Sequence, residues 1–176
     1  MFKKRGSDLA GNSFGAVCAP CSGMDVLHED IDLLTDRVIA CAIEVHTQMG
    51  PGLNEAIYEE CIAFELAARG IPFECGVPVL VSYKGRRLRK HFELDLLVDR
   101  RLIVELKAVD ALHPVHQAQV ITYLRLTGHP AGLLLNFNDM TLLAGLKRLD
   151  HPDRYAAKRE RIGARHRHTS GAGKED

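Results

Sequence analysis

The segment from Asp95 to Lys107 carries two carboxylates and a primary amine on either side of a turn signal at Asp99-Arg100. With the turn centred there, antiparallel pairing sets Asp95 opposite Val104 or Glu105, where facing Cβ atoms lie about 5 Å apart. Glu105 and Lys107, two residues apart, project from the same face of their strand. Facing like charges repel, and both residues stand in the otherwise apolar run Leu102-Ile-Val-Glu-Leu-Lys107, where an unpaired charge is costly to bury. Two arrangements relieve that cost. In one, a divalent cation bridges the carboxylates. Their oxygens are hard ligands for Mg²⁺, which keeps waters, accepts phosphate oxygens and acidifies a bound water that a nearby lysine orients or deprotonates. In the other, the group is a buried Glu105–Lys107 or Asp95–Lys107 salt bridge without chemistry. Spacing alone leaves both open.

Such a strand pair needs a sheet and helices around it. From Asp30, apolar residues recur every three to four positions (Leu33/Leu34, Val38/Ile39, Ala42/Ile43, Val45/His46), which predicts a helix to about Gln48. Gly50-Pro51-Gly52 breaks it, and Asn54 caps a second helix with the face Ile57, Cys61, Phe64 and Leu66, stopping at Gly70. Pro72 and Pro78 bracket a change to strand character: Val79–Tyr83, a turn at 84–86, then Leu88–Val98 and Leu102–Lys107. A third helix begins near Pro114 and ends before Gly128, and Ala131–Phe137 is the last core strand. The order is helix, three strands, helix, strand, with an additional helix in front: an α/β fold. Residues 1–27 read as a flexible extension within which Met24 could serve as the start, 28–149 as the domain, and the last 30 residues as a short helix fraying into a basic tail.

The chain is 176 residues and 46% hydrophobic, enough for one core. Lysine plus arginine equals aspartate plus glutamate at 23 each, so any affinity for polyanions must come from local clustering. No apolar run approaches the ~20 residues that cross a bilayer, and polar residues interrupt what would be a signal peptide. Five cysteines, an odd number, fit reduced thiols and a cytoplasmic location. Oligomeric state is not legible.

Asp95 followed by Glu105-Leu106-Lys107 resembles the D…ExK signature of the PD-(D/E)XK, or restriction-endonuclease-like, nuclease superfamily, and the element order is similar to that superfamily's core. Gly52-Leu-Asn-Glu55-Ala-Ile-Tyr58 matches the motif that names the GxxExxY family. The likeness continues through His116, Gln119, Tyr123-Leu124 and Gly132-Leu-Leu-Leu-Asn136-Phe137, over about residues 29–147. This resemblance implies a nuclease that hydrolyses phosphodiester bonds of DNA, or alternatively RNA, with Mg²⁺ or Mn²⁺. It implies Asp95 and Glu105 as metal ligands with the Leu106 carbonyl as a third, and Lys107 beside the attacking water. Glu55 matches an acidic residue that many members supply from the first core helix, although a glutamate just after an N-cap is also favoured by the helix dipole. The competing class is a non-catalytic module that keeps the fold and holds nucleic acid or a protein.

His116, Gln119 and Tyr123 share one face of the third helix. Gln119 is a candidate to orient Lys107 or bind substrate; His116 and Tyr123 read as packing residues, as does Tyr58 with a bonded hydroxyl. Lys84, Arg86, Arg87, Arg89 and Lys90 place five cations in seven residues on a hairpin near the candidate site, suited either to phosphate contacts or to a solvated turn. Cys18-Ala-Pro-Cys21 has half-zinc-site spacing without a second pair and is discounted.

Overall fold

Asp30 caps the first helix, its carboxylate accepting the Asp32 N–H at 3.1 Å. The computed structural model describes residues 30–153, so the N-terminal extension, Cys18, Cys21 and the chain from 154 onward lie outside the described residues. Helix α1 (Ile31–Met49) buries Ile31, Leu34, Val38, Cys41, Ala42 and Val45, a stripe at helical spacing, and Gly50 ends it at φ 66°. Asn54 caps α2 (Glu55–Ala68) as expected, accepting the Ile57 N–H at 3.1 Å. Its buried face differs from the expected one. Tyr58, Ile62 and Leu66 point inward, while Phe64 is 71% exposed and Ile57 is also exposed. The i, i+4, i+8 stripe places an aromatic ring and two aliphatic side chains against the sheet, while Cys61 packs at the edge of this core and Ile57 and Phe64 are turned away from it.

The strands are β1 (Phe73–Tyr83), β2 (Arg86–Val98), β3 (Leu102–Lys107), β4 (Ala131–Asn136) and β5 (Leu146–Asp150), with α3 (Pro114–Thr127) between β3 and β4. They form one sheet in chain order, antiparallel throughout except for the parallel β3–β4 pair that α3 connects. Helices α1 and α2 cover one face of the sheet; α3 covers the other over Val79, Leu94, Leu97 and Ile103. Coverage on both faces explains why β3 and β4 read as continuous apolar runs. The element order fits a restriction-endonuclease-like α/β fold preceded by an N-terminal helix.

Strand β5 takes the start of the basic C-terminal stretch out of the expected helix; helical backbone begins only at Pro152, and the chain from 154 lies outside the described residues. Lys147 and Arg148 belong to this strand, which pairs with β4 from Ala131↔Asp150 to Leu135↔Leu146. Pairing satisfies backbone groups along β4, which would otherwise be buried without partners, and Arg148 is held by Asp32 and Asp150. Leu146 and Leu149, three residues apart and so packed on opposite faces of the strand, give no alternation to outweigh the run of cations. Among the described residues no helix is long and apolar enough to cross a membrane.

Tyr58 ties the α1–α2 connection to the core. Its ring stacks on Phe137 with centroids 4.4 Å apart, and its hydroxyl donates to the Gly50 carbonyl at 2.7 Å and accepts the Leu53 N–H at 3.1 Å. Tyr58→Phe keeps the ring and deletes both bonds, so it should cost about 1–2 kcal/mol and lower the melting temperature by several degrees. An unchanged melting temperature would show that water replaces the hydroxyl without loss.

Candidate active site

The β2–β3 register pairs Leu96 with Val104, Leu97 with Ile103 and Val98 with Leu102. One further step sets Asp95 across from Glu105, the second of the two partners expected from sequence. Asp99 and Arg100 both take positive φ in the connecting turn, at 49° and 53°, a conformation that suits a tight hairpin. At the end of this hairpin Asp95 Oδ2 accepts the Leu106 N–H at 2.7 Å. Glu105 is only 2% exposed; its Oε1 accepts from Lys107 Nζ at 2.7 Å, and Nζ also donates to the Leu106 carbonyl at 2.7 Å. Asp95, Glu105 and Lys107 thus converge.

The salt-bridge arrangement left open by the sequence is present, but it satisfies half of the carboxylate. Glu105 Oε2 is buried and has no hydrogen-bond partner among the described residues. Burial pushes the Glu105 pKa up to about 7, the Asp95 and Glu55 charges add to the rise, and Lys107 opposes it. Burial likewise raises Asp95, against the pull of the Leu106 N–H and Lys107. For Lys107, burial acts to lower the pKa but the bond and charge of Glu105, with Asp95 and Glu55, outweigh it and leave it raised. Three carboxylates surround one ammonium, so the ammonium stays charged while Glu105 carries the strain.

Glu55 opens α2 directly after its cap, and its Oε1 accepts the Ala108 N–H at 3.4 Å, just past Lys107. It therefore occupies the helix-dipole position and faces the carboxylate pair at once. Gln119 does not reach Lys107. Its amide donates to the Tyr123 hydroxyl at 2.5 Å, so no direct bond orients the lysine. Tyr123 is buried, as expected of a packing residue, with Phe92 edge-on at 5.4 Å. Burial raises its pKa, and the Glu105 and Asp95 charges contribute, which places the hydroxyl near the pair. His116 accepts the His113 N–H at 3.2 Å and serves as a helix cap.

Sequence reasoning missed Glu59, Glu93 and Asn136. Burial raises the Glu59 pKa with help from Asp95 and Glu93, so the acidic surround extends beyond the pair. Both were within reach: Glu59 lies four residues from Glu55 on one helix face, and Glu93 two residues from Asp95 on one strand face. Asn136, fully buried, pins the chain after β3: it accepts the Val109 N–H at 3.0 Å and donates to the Val109 carbonyl at 2.8 Å. Together with the Phe137 N–H on the Lys107 carbonyl at 2.8 Å, it fixes where β3 ends.

Lys84, Arg86, Arg87, Arg89 and Lys90 are all exposed, on the hairpin at the far end of β2 from the carboxylates. At about 3.3 Å per residue, Lys90 lies roughly 16 Å along the strand from Asp95, and Arg86, paired with Tyr83 beyond the shift in register, roughly 23 Å. The carboxylate oxygens suit a hard divalent cation, since one is orphaned and the set exceeds its single ammonium. Among the described residues no three His, Cys, Asp or Glu side chains are arranged to hold a metal ion. Asp95, Glu105 and the Leu106 carbonyl would therefore be completed by water, which is how Mg²⁺ is commonly bound.

A family model described as the PD-(D/E)XK nuclease superfamily matches residues 32–149, two thirds of the chain, and includes every residue of the hairpin. No curated protein matches the chain.

Proposed function

The chain belongs to the PD-(D/E)XK nuclease superfamily, and from that premise we propose that it is a cation-dependent nuclease of the GxxExxY type, cleaving phosphodiester bonds of DNA ahead of RNA. The observation that carries this reading is the orphaned, buried Glu105 Oε2 in a site with more carboxylates than cations. A structural ion pair has no use for such an oxygen, whereas a ligand set does. Asp95 and Glu105, with the Leu106 carbonyl, would hold Mg²⁺ or Mn²⁺. Bound there, the ion supplies charge neutralisation at the scissile phosphate and an acidified water.

The protein's own groups divide the remaining work. The Leu106 N–H holds Asp95 Oδ2, fixing one carboxylate at the end of the hairpin. Lys107, fixed through its backbone to β4, can turn its ammonium from Glu105 toward a water or a phosphate oxygen, orienting the nucleophile and stabilising developing charge. Glu55, on the rim, is placed to accept a hydrogen bond from that water. Gln119 and Tyr123 act as a coupled pair that shapes the α3 side. We place this activity in the cytoplasm.

The test is a panel of end-labelled DNA and RNA, duplex and single-stranded, incubated with Mg²⁺, with Mn²⁺ or with EDTA. Cleavage that requires the cation supports the reading. Binding of the cation with no cleavage of any substrate would replace it with the non-catalytic module.

A further inference from the structure

Strand β2 outruns its neighbour. Its pairing with β3 stops at Leu96, yet it continues back to Arg86 with β1 as its partner, so the distal hairpin leaves the sheet as a two-stranded ribbon. The ribbon turns through Lys84 at φ 49° and Gly85 at φ 76°. Its pairing shifts between Leu80 and Ser82, an irregularity that increases twist and discourages further strand addition. Its five cations are exposed, and no described acid forms an ion pair with them; Lys84 lies 5.6 Å from the Tyr83 ring centre. Tyr83, Leu88 and Phe92 are exposed along the same ribbon.

Charge in this molecule is polarised despite its zero net balance. Helices α1 and α2 and the candidate site are rich in carboxylates, among them Glu55, Glu59, Glu60 and Glu65. Such a site repels a polyanion, so the attraction must come from elsewhere, and among the described residues the ribbon is the strongly basic element.

We infer that the β1–β2 ribbon lies in the major groove of double-stranded B-form DNA and delivers the duplex to the carboxylate pair. The inference rests on the nuclease reading for its second half only. Two strands about 4.8 Å apart, with side chains, match a groove about 12 Å wide. Arg86, Arg87, Arg89 and Lys90 are all exposed on β2, whose outer edge has no β3 partner here, so cations line the ribbon where phosphate chains border a groove. The span of roughly 16–23 Å from Asp95 to Lys90 and Arg86 covers about half to two thirds of a turn of B-form duplex, a distance that a stiff helix bridges and a single strand does not hold. A-form RNA presents a major groove too narrow for side chains to read. A second copy of this chain is the poorer occupant, because two such ribbons would oppose like charges.

The experiment measures binding in EDTA, without cleavage, to one 24-base-pair DNA duplex, its isolated strand and the matching RNA duplex over a range of salt. Wild type should bind the DNA duplex at least tenfold tighter than the other two. Arg86→Gln, Arg87→Gln, Arg89→Gln should lower the slope of log affinity against log salt by about 2–3 while its melting temperature stays within a degree or two of wild type. Asp95→Asn, Glu105→Gln should bind the duplex at least as tightly as wild type. An unchanged salt slope in the triple variant, or equal affinity for the single strand, overturns the inference. So does a triple variant that breaks a dimer without altering the slope. Duplex binding by a protein that cleaves nothing leaves the inference standing and removes the nuclease reading; cleavage with an unchanged slope does the reverse.

Discussion

In the Asp95→Asn, Glu105→Gln double variant, Mg²⁺ and Mn²⁺ should no longer raise the melting temperature, and nucleic-acid cleavage should fall to background. A ligand that binds only the folded state stabilises it by RT ln(1 + [L]/Kd), about 2.7 kcal/mol at a hundredfold excess over Kd, so wild type should show a clear calorimetric shift. Metal-free, the double variant should be at least as stable as wild type at pH 8, since amides replace facing carboxylates without changing their shape. Lys107→Ala separates binding from chemistry. The Lys107 ammonium rests on Glu105 Oε1 and the Leu106 carbonyl, two of the oxygens assigned to the ion. Removing it frees them, so the thermal response to the cation should persist or grow while cleavage drops by about 10²–10⁴, the usual contribution of a positioned acid–base or electrostatic group. An equal cation response in wild type and the double variant would place any ion elsewhere. Full cleavage by Lys107→Ala would remove the lysine from the chemistry.

The strand bearing Glu105 and Lys107 was legible to the residue, at Leu102–Lys107, because a short apolar run between a turn signal and Pro114 has few other ways to fold. The carboxylate pairing followed from counting outward from Asp99-Arg100. Other features were settled by tertiary partners. The inward face of α2 was misread because Phe64 looks like a core residue until the sheet selects Tyr58, Ile62 and Leu66. Strand β5 was hidden because its pairing partner, β4, is over ten residues away and its own composition is cationic. Gln119, a candidate from its helical face to orient Lys107 or bind substrate, bonds instead to the Tyr123 hydroxyl one turn along the same helix. The overhang of β2 beyond β3, which separates the basic hairpin from the carboxylates, was implicit in the expected strand lengths, Leu88–Val98 against Leu102–Lys107.

Metal-free wild type should lose stability as the pH rises from about 5 to 8, and Glu105→Gln should lose much less. The Glu105 pKa rises from 4.5 to about 7 in the folded chain, chiefly by burial. Between those values the folded state holds a proton that the unfolded state has released, so stability is greatest below the window and declines through it. At about 1.4 kcal/mol per pH unit, the decline is of order 3 kcal/mol, without discount for screening because the side chain is 2% exposed. Asp95 and Glu59, also raised, act in the same direction at the acidic end and leave a residual slope in the variant. Lys107, raised above 10.5, contributes stability that disappears only in strong alkali. His129 works the other way: burial lowers its pKa, so stability from its neutral form is lost as the pH falls. That contribution is common to both proteins, and the difference between their curves isolates Glu105. Urea denaturation at pH 5 and pH 8 in EDTA reads the difference directly. A saturating divalent cation should flatten the wild-type decline, because it binds the carboxylate that rising pH exposes. Parallel curves for wild type and Glu105→Gln would mean that the buried carboxylate finds a partner in solution, and the argument from its orphaned oxygen would fall with it.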